Sequence, residues 1–298
     1  MTRILITGGS GLIGAALIPI LETRGHVCTR LSHNLKYPGQ LFWNIQSKQL
    51  DAHSIEGYDA VIHLAGENVG SSRWTKSKKD LIRSSRVDGT RLLCEKIATL
   101  KYPPTVFLCA SAIGFYGNRG KEELTEESSS GTGFLSSVVQ DWEQATSPLD
   151  TLHIRKVFMR FGVILSGKGG ALKKMLPPFK LGLGGKIGNG KQFMSWISLR
   201  DTVQAIVYLL EAEQIQGAVN MTSPYPVTNE GFTKALGKQL KRPTIFPLPA
   251  LVAKLTLGEM AKDLLLASTK AHPQKLQNHD FKFKHPHLEL ALADILGV

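Results

Sequence analysis

Residues Ile4 to Gly14 read Ile-Leu-Ile-Thr-Gly-Gly-Ser-Gly-Leu-Ile-Gly, a short apolar strand that runs directly into a glycine-rich turn. Glycine recurs every three residues, at Gly8, Gly11 and Gly14, and the small and apolar residues Ala15–Thr23 predict a helix after the turn. In such a unit the glycines permit the tight turn, the approach of a pyrophosphate to the backbone and close packing of the helix on the sheet. The stretch therefore predicts a dinucleotide site at the N-terminus of the helix.

The composition is that of a globular enzyme with one large or two moderate domains, since 42% of the 298 residues are hydrophobic. The apolar stretch Ile4–Leu21 contains four glycines and is marginal in length for a membrane span. Three scattered cysteines (Cys28, Cys94 and Cys109) indicate neither a disulfide framework nor a metal site. We therefore expect a cytoplasmic protein with no membrane partner and no bound metal.

The formal net charge of +12 raises the question of nucleic acid binding. The cations are spread along the chain, and the densest group, Arg73 to Lys79, has a single aromatic residue, Trp74, and not the interleaved series of a base-stacking surface. We therefore expect no nucleic acid partner. An anionic cofactor or substrate accounts for the sign of the charge equally well.

Strand and helix patterns alternate along the chain, which predicts an α/β fold of the Rossmann type with a doubly wound parallel sheet. The predicted strands end with Ala218–Met221, and beyond residue 222 prolines interrupt short helices. The predicted dinucleotide-binding core comprises residues 1–165 and 197–221. A smaller, discontinuous substrate-binding lid and C-terminal cap comprises residues 166–196 and 222–298. The predicted elements of the core are strands at 4–7, 26–31, 58–64, 105–110, 157–165 and 218–221, and helices at 15–23, 78–99, 134–147 and 201–212.

The segment after the second predicted strand, residues 29–36, distinguishes between the two dinucleotides. Proteins specific for NAD place a carboxylate there to bind the ribose hydroxyl, whereas those specific for NADP supply cations to a 2′-phosphate. This segment has no carboxylate, and Arg30, His33 and Lys36 are all basic. It favours NADP(H) over NAD(H), although Arg30 as a solvated surface cation remains an alternative.

Several motifs together resemble one branch of the extended or atypical short-chain dehydrogenase/reductases, the epimerase-family proteins, some of which carry the label "cell division inhibitor". The resemblance covers essentially the whole chain. It rests on the glycine-rich turn, Leu64-Ala65-Gly66-Glu67-Asn68, Ser111 with Tyr116-Gly117, Trp142-Glu143, Arg160-x-Gly162-Val163-Ile164-Leu165, Gly169-Gly170-Ala171-Leu172, the glycine-rich run Leu181–Gln192, and Ser195-Trp196-Ile197 before Asp201.

The resemblance implies how a cofactor would be held. The pyrophosphate would lie on the glycine-rich turn, Ala65 and Gly66 would lie beside the ribose and phosphate of the adenosine half, and Ala110 and Ser111 would line the nicotinamide. In the family an arginine commonly stands two residues beyond the position of Leu31, where this chain has His33. The full set of predicted cofactor-binding residues is Thr7, Gly8, Ser10, Gly11, Leu12, Ile13, Gly14, Arg30, His33, Leu64, Ala65, Gly66, Ala110 and Arg160.

The proton-transfer pair of ordinary short-chain reductases is absent from its expected place. That pair is Tyr-x-x-x-Lys on one helix face, where the lysine lowers the pKa of the tyrosine. The resemblance places it about twenty-five residues after Ser111, but residues 134–138 read Phe-Leu-Ser-Ser-Val. We therefore consider three substitutes, each with a structural alternative. Ser111 could donate to a substrate carbonyl or cap a turn, Tyr116 could reach the pocket or pack its ring, and Glu67 could act as acid or base or cap a helix.

The glycine-rich tract from Gly167 to Gln192 predicts a lid or cradle that closes over a ligand, with a disordered solvated loop as the alternative. Its cations Lys180, Lys186 and Lys191 suit an anionic or sugar-like substrate. We therefore expect an NADP(H)-binding oxidoreductase or epimerase that acts on an unidentified small molecule. A non-catalytic redox sensor or regulator that binds NADP(H) is the alternative, and the sequence leaves a homodimer open.

Overall fold

The computed structural model describes residues 1–36 and 38–297. Strands and helices alternate along most of the chain, as the sequence predicts. The strands are β1 Arg3–Thr7, β2 Val27–Ser32, β3 Leu41–Asn44, β4 Gln49–Leu50, β5 Ala60–His63, β6 Val106–Ala112, β7 Glu123–Leu124, β8 Arg155–Phe161, β9 Val163–Leu165, β10 Phe193–Met194, β11 Trp196–Ser198, β12 Gly217–Met221, β13 Val227–Thr228 and β14 Lys270–Ala271.

The central layer is an eight-stranded sheet in the order β12-β8-β6-β5-β1-β2-β3-β4. All neighbouring strands in it are parallel except the pair β3 and β4. The order reverses at β1, where Thr7 pairs with Leu31 on one side and with His63 on the other. Ligands of doubly wound sheets bind in the crevice at such a reversal, outside the carboxyl ends of the strands. The Rossmann-type prediction is confirmed.

Helices cover both faces of the sheet. They are α1 Leu12–Thr23, α2 Lys76–Ile97, α3 Phe134–Gln144, α4 Gly170–Lys180, α5 Leu199–Glu211, α6 Asn229–Leu240, α7 Ala250–Leu257, α8 Gln274–Asn278 and α9 Leu288–Leu296. One buried cluster joins the sheet to α1 and α5, and a second joins it to α2 and α3. None of the helices in the described residues is long and apolar enough to cross a membrane.

A third buried cluster lies outside the central sheet. It contains Leu165 of β9, Trp196 of β11, Phe179 of α4, Phe232 of α6 and Leu292 of α9. Burial of these side chains gives the segments after residue 162 an apolar core of their own. That core holds the segments of the predicted lid and cap beside the carboxyl edge of the sheet.

Two elements differ from the sequence-based prediction. The single strand expected at 157–165 is two strands that join different sheets, because the chain bends at Gly162. A Cβ at Gly162 would lie 2.6 Å from the carbonyl oxygen of Ser195, so only glycine fits there. The tract expected as a glycine-rich loop contains helix α4, which includes Pro177 and Pro178. The glycine content of the tract is why the sequence indicated a loop, and the two prolines each remove a backbone hydrogen bond from the helix.

Candidate active site at the carboxyl edge of the sheet

The three regularly spaced glycines at the turn between β1 and α1 have different structural roles. Gly8 has a φ of 68°, and a Cβ there would lie 2.7 Å from the backbone of Leu64. A Cβ at Gly14 would lie 2.5 Å from the carbonyl oxygen of Gly8. At Gly11 the nearest atom would be that same oxygen, at 3.2 Å, and φ is an ordinary −73°. The protein's own packing therefore requires glycine at positions 8 and 14, whereas a Cβ at Gly11 would meet a single, close contact with the Gly8 oxygen.

Gly11 is also the N-cap of α1, and its side is the one on which the helix presents its free backbone N–H groups. The N–H groups in the first turn of a helix have no intrahelical acceptor, and the helix dipole favours an anion there. The predicted residues Ser10, Leu12 and Ile13 flank this position, with Ser10 exposed and the other two half-buried. A cradle of this shape fits a pyrophosphate.

A buried hydrogen-bond chain holds the end of β5 against this turn. The Thr7 hydroxyl accepts from the N–H groups of Leu64 and Ala65, both at 3.1 Å, and lies 2.7 Å from Nδ1 of His63. Burial lowers the pKa of His63 to about 4, so the ring is neutral. Its Nε2 bonds to Thr90, which also accepts from the Trp142 indole. Thr7, predicted as a cofactor contact, thus directs its side chain inward and fixes the backbone at 64–65.

The basic side chains predicted for a 2′-phosphate lie at the end of β2. The aliphatic carbons of Arg30 pass 3.1 to 3.2 Å from the position of a Cβ at Gly9, so this side chain covers the glycine-rich turn. His33 and Lys36 follow the strand and are exposed. Arg30 therefore lies against the glycine-rich turn, and His33 and Lys36 lie beside it.

A cation that sequence reasoning missed, Arg86, lies on α2. A Cβ at Gly66 would lie 3.4 Å from its guanidinium carbon. The guanidinium donates to the carbonyl oxygens of Ile82 and Glu67 and lies 5.1 Å from the centre of the Trp142 ring. Burial lowers the pKa of Arg86 to about 10, which leaves it charged at neutral pH. An arginine within a predicted helix is normally taken as a solvated surface residue, so no sequence signal pointed to Arg86.

Glu67 lies just beyond the end of β5 and is held by an ammonium group. Lys78, whose side chain is 11% exposed, donates to the Glu67 carboxylate and to the Ser71 hydroxyl. The backbone N–H of Glu67 donates to Ser85 at 3.0 Å. Glu67 and Lys78 therefore form a partly buried ion pair at the edge where the cofactor is predicted.

Ser111, at the carboxyl end of β6, donates to Oε1 of Glu143 at 2.6 Å and is buried. Arg160 donates to the same carboxylate through Nε and Nη2, both at 2.8 Å. Arg160, predicted as a cofactor contact, thus forms a two-pronged, nearly buried ion pair. The pair connects β8 to α3 and fixes the hydroxyl of Ser111. Glu143 was visible in the sequence only as part of a family motif.

The phenol of Tyr116 extends the same network. The side chain is fully buried, its hydroxyl donates to Oδ1 of Asn220 at 2.8 Å, and it accepts from Nη1 of Arg160 at 3.1 Å. Burial raises the pKa of the phenol, and the Arg160 guanidinium offsets part of this rise. Arg160 also stacks on the ring of Phe115, with its guanidinium carbon 3.5 Å from the ring centre. The hydroxyl of Tyr116 therefore has its bonding partners inside the protein.

Helix α3, on which the resemblance implies a Tyr-x-x-x-Lys pair at about residues 134–138, presents an apolar pair beside the end of β6. A Cβ at Gly114, just beyond β6, would lie 3.5 Å from Leu135 and 3.9 Å from Val139. These two residues are one helical turn apart and share a face. Phe134, by contrast, packs against Trp74, with ring centres 5.3 Å apart. The helix sequence over 134–144 contains neither tyrosine nor lysine.

Helix α4 closes over the glycine-rich turn from the other side. A Cβ at Gly169, the N-cap of α4, would lie 3.1 Å from the Leu12 side chain. Lys174 donates to the carbonyl oxygen of Gly70 in the loop that follows Glu67. The lid predicted from the glycine content thus contacts both the turn and the loop beside the Glu67–Lys78 pair.

A cavity of about 500 Å³ opens between the loop after Tyr116, the run that follows α4 and the segment around α7. Of the three lid lysines predicted to suit an anion, Lys191 lines it. The cavity also has neutral hydrogen-bond donors. Asn118 and Asn189 accept from backbone N–H groups through their oxygens, so their amide nitrogens remain available to donate. Its charged lining residues are Lys121, Lys191, Lys254 and Lys262, for which the described residues show no ion-pair partner.

The described residues contain no group of three or more histidine, cysteine or acidic side chains that could hold a metal ion. Two of the three cysteines, Cys94 and Cys109, are buried, and burial raises the pKa of both thiols. Cys28 is half-buried, and burial raises its pKa to about 11. Thiols protonated at neutral pH are poor nucleophiles and metal ligands.

Comparison with known proteins places this arrangement in a family. Residues 4–137 match the model of the NAD dependent epimerase/dehydratase family, and residues 248–295 match a domain of unknown function. An epimerase family protein of Mycobacterium bovis is 39% identical over 97% of this chain and 96% of its own length. The crystal structure of the human epimerase family protein SDR39U1 with NADPH has a TM-score of 0.92 at 33% identity and covers 99% of both chains. The UDP-glucose 4-epimerase of Thermotoga maritima, crystallised with UDP-glucose, shares the fold alone, with a TM-score of 0.79 at 18% identity over 99% of this chain and 97% of its own.

Proposed function

This chain belongs to the epimerase family of atypical short-chain dehydrogenase/reductases, and we propose that it binds NADP(H) and uses it as an oxidoreductase or epimerase on a small anionic or sugar-like molecule. The observation that carries the proposal is the open cradle at Gly11, with Arg30 lying across the same turn. The human relative was crystallised with NADPH, which supports the choice of dinucleotide.

In this proposal the core binds the dinucleotide along the carboxyl edge of the sheet. The N–H groups at the start of α1 bind the pyrophosphate, Arg30 with His33 binds the 2′-phosphate, and Arg86 beside Gly66 supplies a further positive charge. When bound, NADP(H) supplies or accepts a hydride at its nicotinamide ring. The segments 166–196 and 222–298 form the substrate-binding unit, and the cavity lined by lysines around Lys191 receives the anionic part of the substrate.

The chain's own residues must then supply or accept the proton that accompanies hydride transfer. The Lys78 ammonium can deliver a proton through the Glu67 carboxylate, since the two groups are already in contact. Ser111, oriented by Glu143, can donate a hydrogen bond to a substrate oxygen once it turns from that carboxylate. Lid helix α4 lies over the same region and excludes water when a ligand is bound.

A second function, binding of NADP(H) without turnover in a redox sensor, is favoured by a specific observation. The apolar pair Leu135 and Val139 stands on the α3 face beside Gly114, and the hydroxyl groups of Ser111 and Tyr116 both bond inside the protein. A substrate library monitored by NADPH absorbance separates the two functions. Turnover of any member supports the enzyme, and its absence throughout favours the sensor.

The cofactor preference is tested by binding titrations with NADPH and NADH. We expect the parent protein to bind NADPH more tightly, because cations and no carboxylate follow β2. Arg30→Ala should weaken NADPH binding by about ten- to a hundredfold, the range of a charge-assisted hydrogen bond to a phosphate, and leave NADH binding nearly unchanged. Arg24→Ala, which removes a cation at the far end of α1, is the matched control. Equal affinities of the parent for the two dinucleotides would contradict the assignment.

Proton transfer is tested with Glu67→Gln, Ser111→Ala and Tyr116→Phe once a substrate is known. At least one of them should reduce turnover by about a hundredfold or more, the usual contribution of a general acid or base. Glu259→Gln, which breaks the more exposed pair with Lys79, is the control for Glu67→Gln and should retain turnover. Tyr116→Phe should also destabilise the fold by about 1–3 kcal/mol, because it strips Asn220 and Arg160 of a buried partner. Full activity in all three variants would leave bound water or cofactor hydroxyls as the proton source.

A further inference from the structure

Helix α7 exposes an apolar face to solvent. At about 100° per residue, its apolar side chains Leu251, Val252 and Leu255 lie within one face, and all three are exposed, with Leu251 and Leu255 each at 68%. The opposite side carries Ala253, which is buried, and Leu257, which packs on the cluster around Trp74. A surface helix of a globular protein normally turns its apolar stripe toward the core. Helix α7 turns its larger apolar side chains toward solvent.

Further exposed apolar side chains adjoin this face. The segment 181–188 is tied to 242–248 by backbone hydrogen bonds, including Leu248 to Lys186 at 2.8 Å and Gly188 to Leu248 at 2.9 Å. The two segments expose Leu181 at 74% and Ile245 at 71%. Of the sixteen large hydrophobic residues that are exposed in the described part of the chain, seven lie here. We call them the apolar patch: Leu181, Leu183, Ile245, Phe246, Leu251, Val252 and Leu255. Large apolar side chains exposed on such connected segments point to a binding surface.

The two segments that carry the patch have charges of a single sign, with Glu230, which pairs with Lys234, and Glu259 standing just outside them. Residues 168–191 contain six lysines and residues 231–258 contain five lysines and arginines, and neither segment has an aspartate or glutamate. Lys180 and Lys254 stand directly beside apolar members of the patch, and Arg242 donates to the carbonyl oxygen of Lys180. Most of the protein's excess positive charge is therefore gathered in the two segments that carry the patch.

We propose that the apolar patch and its basic surroundings dock on an anionic phospholipid surface. A second copy of this chain would bring its own lysines against these, so like charges oppose self-association through this face. An anionic bilayer offers negative headgroups above an apolar interior, which matches exposed leucine, isoleucine and phenylalanine flanked by long basic side chains. Such side chains place their methylene stems along apolar surface while the ammonium remains at the headgroups.

This contact would be peripheral, and it differs from a membrane-spanning segment. The expectation of no membrane partner came from the absence of a spanning segment, and the described helices contain none. A docked α7 lies in the plane of the interface and needs no span. The proposal is independent of the reaction proposed above.

The test is sedimentation of the full protein with vesicles of phosphatidylcholine alone or of an equal mixture with phosphatidylglycerol. We expect binding to the mixed vesicles, little binding to phosphatidylcholine, and loss of binding as salt is raised. Leu251→Asp with Leu255→Asp should lower the partition coefficient at least about tenfold, since both side chains would otherwise enter the interface. Lys180→Glu should lower it by about fivefold or more, because it removes an ammonium from the headgroup layer.

Two variants outside the patch are matched controls. Leu290→Asp changes a similarly exposed apolar position, and Lys48→Glu changes an exposed cation in the turn between β3 and β4. Both should bind vesicles like the parent, and every variant should keep its melting temperature and its stabilisation by NADPH. Absence of binding to the mixed vesicles would overturn the proposal, as would equal effects of patch and control variants. A dimer that the Leu251→Asp, Leu255→Asp variant dissociates, without vesicle binding by the parent, would assign the patch to self-association instead.

Discussion

Replacement of Gly11 by valine is expected to abolish NADPH binding while the protein remains folded. The backbone at Gly11 has an ordinary φ, and a Cβ there meets only one protein atom closely, the Gly8 carbonyl oxygen at 3.2 Å. The side chain would instead fill the space over the first turn of α1 that a pyrophosphate needs. We expect NADPH affinity to fall by about a thousandfold or more, since the loss removes the N–H contacts to both phosphates.

Gly14→Val is the informative comparison for this variant. A Cβ at Gly14 would lie 2.5 Å from the Gly8 oxygen and 2.6 Å from Cα of Gly9, so valine there breaks the packing of α1 on the turn. We expect Gly14→Val to unfold at much lower temperature and Gly11→Val to melt close to the parent without ligand. Thermal shift with and without NADPH measures both. A Gly11→Val protein that NADPH still stabilises would show that the turn is not the cofactor site.

The difference between these glycines illustrates what the sequence can predict. The spacing Gly8-x-x-Gly11-x-x-Gly14 after an apolar strand specifies a local unit, whose geometry follows from short-range sterics, and the structure forms that unit. Gly14 is constrained by Gly8 and Gly9 within the turn itself, whereas the constraint on Gly8 comes from the distant residue Leu64, 2.7 Å from a Cβ there. That contact is set by the parallel pairing of β1 with β5, which a single sequence does not display.

The parts of the site that sequence reasoning missed are pairings between distant segments. Lys78 and Arg86 occupy helix positions that are typical of solvated cations, yet both lie against the segment at 66–67. Helix α4 was read as part of a loop because of the glycine content of its tract, and burial of Leu172 and Phe179 in the third apolar cluster stabilises it in spite of its two prolines. Tertiary burial outweighed local propensity at each of these positions.

Loss of the buried cation at position 160 is expected to have the largest effect on stability. Arg160→Met should lower the free energy of unfolding by about 3–5 kcal/mol, because it leaves the Glu143 carboxylate buried with only the Ser111 hydroxyl as a partner. Methionine keeps much of the volume and can still pack against Phe115. Urea denaturation measures the change, and a shift of the midpoint without a change in slope assigns it to the folded state.

The exposed pair Arg83 and Asp141, which joins α2 to α3, provides the control. Both side chains are more than two-fifths exposed, so Arg83→Met should cost about 1 kcal/mol or less. A double variant, Arg160→Met with Glu143→Leu, should recover most of the loss, since it removes the stranded charge together with its partner. If Arg160→Met costs no more than Arg83→Met, the ion pair does not hold β8 to α3. If instead the fold weakens as expected while the NADPH affinity of the folded fraction is unchanged, Arg160 acts by positioning Ser111 and Tyr116 rather than by touching the cofactor.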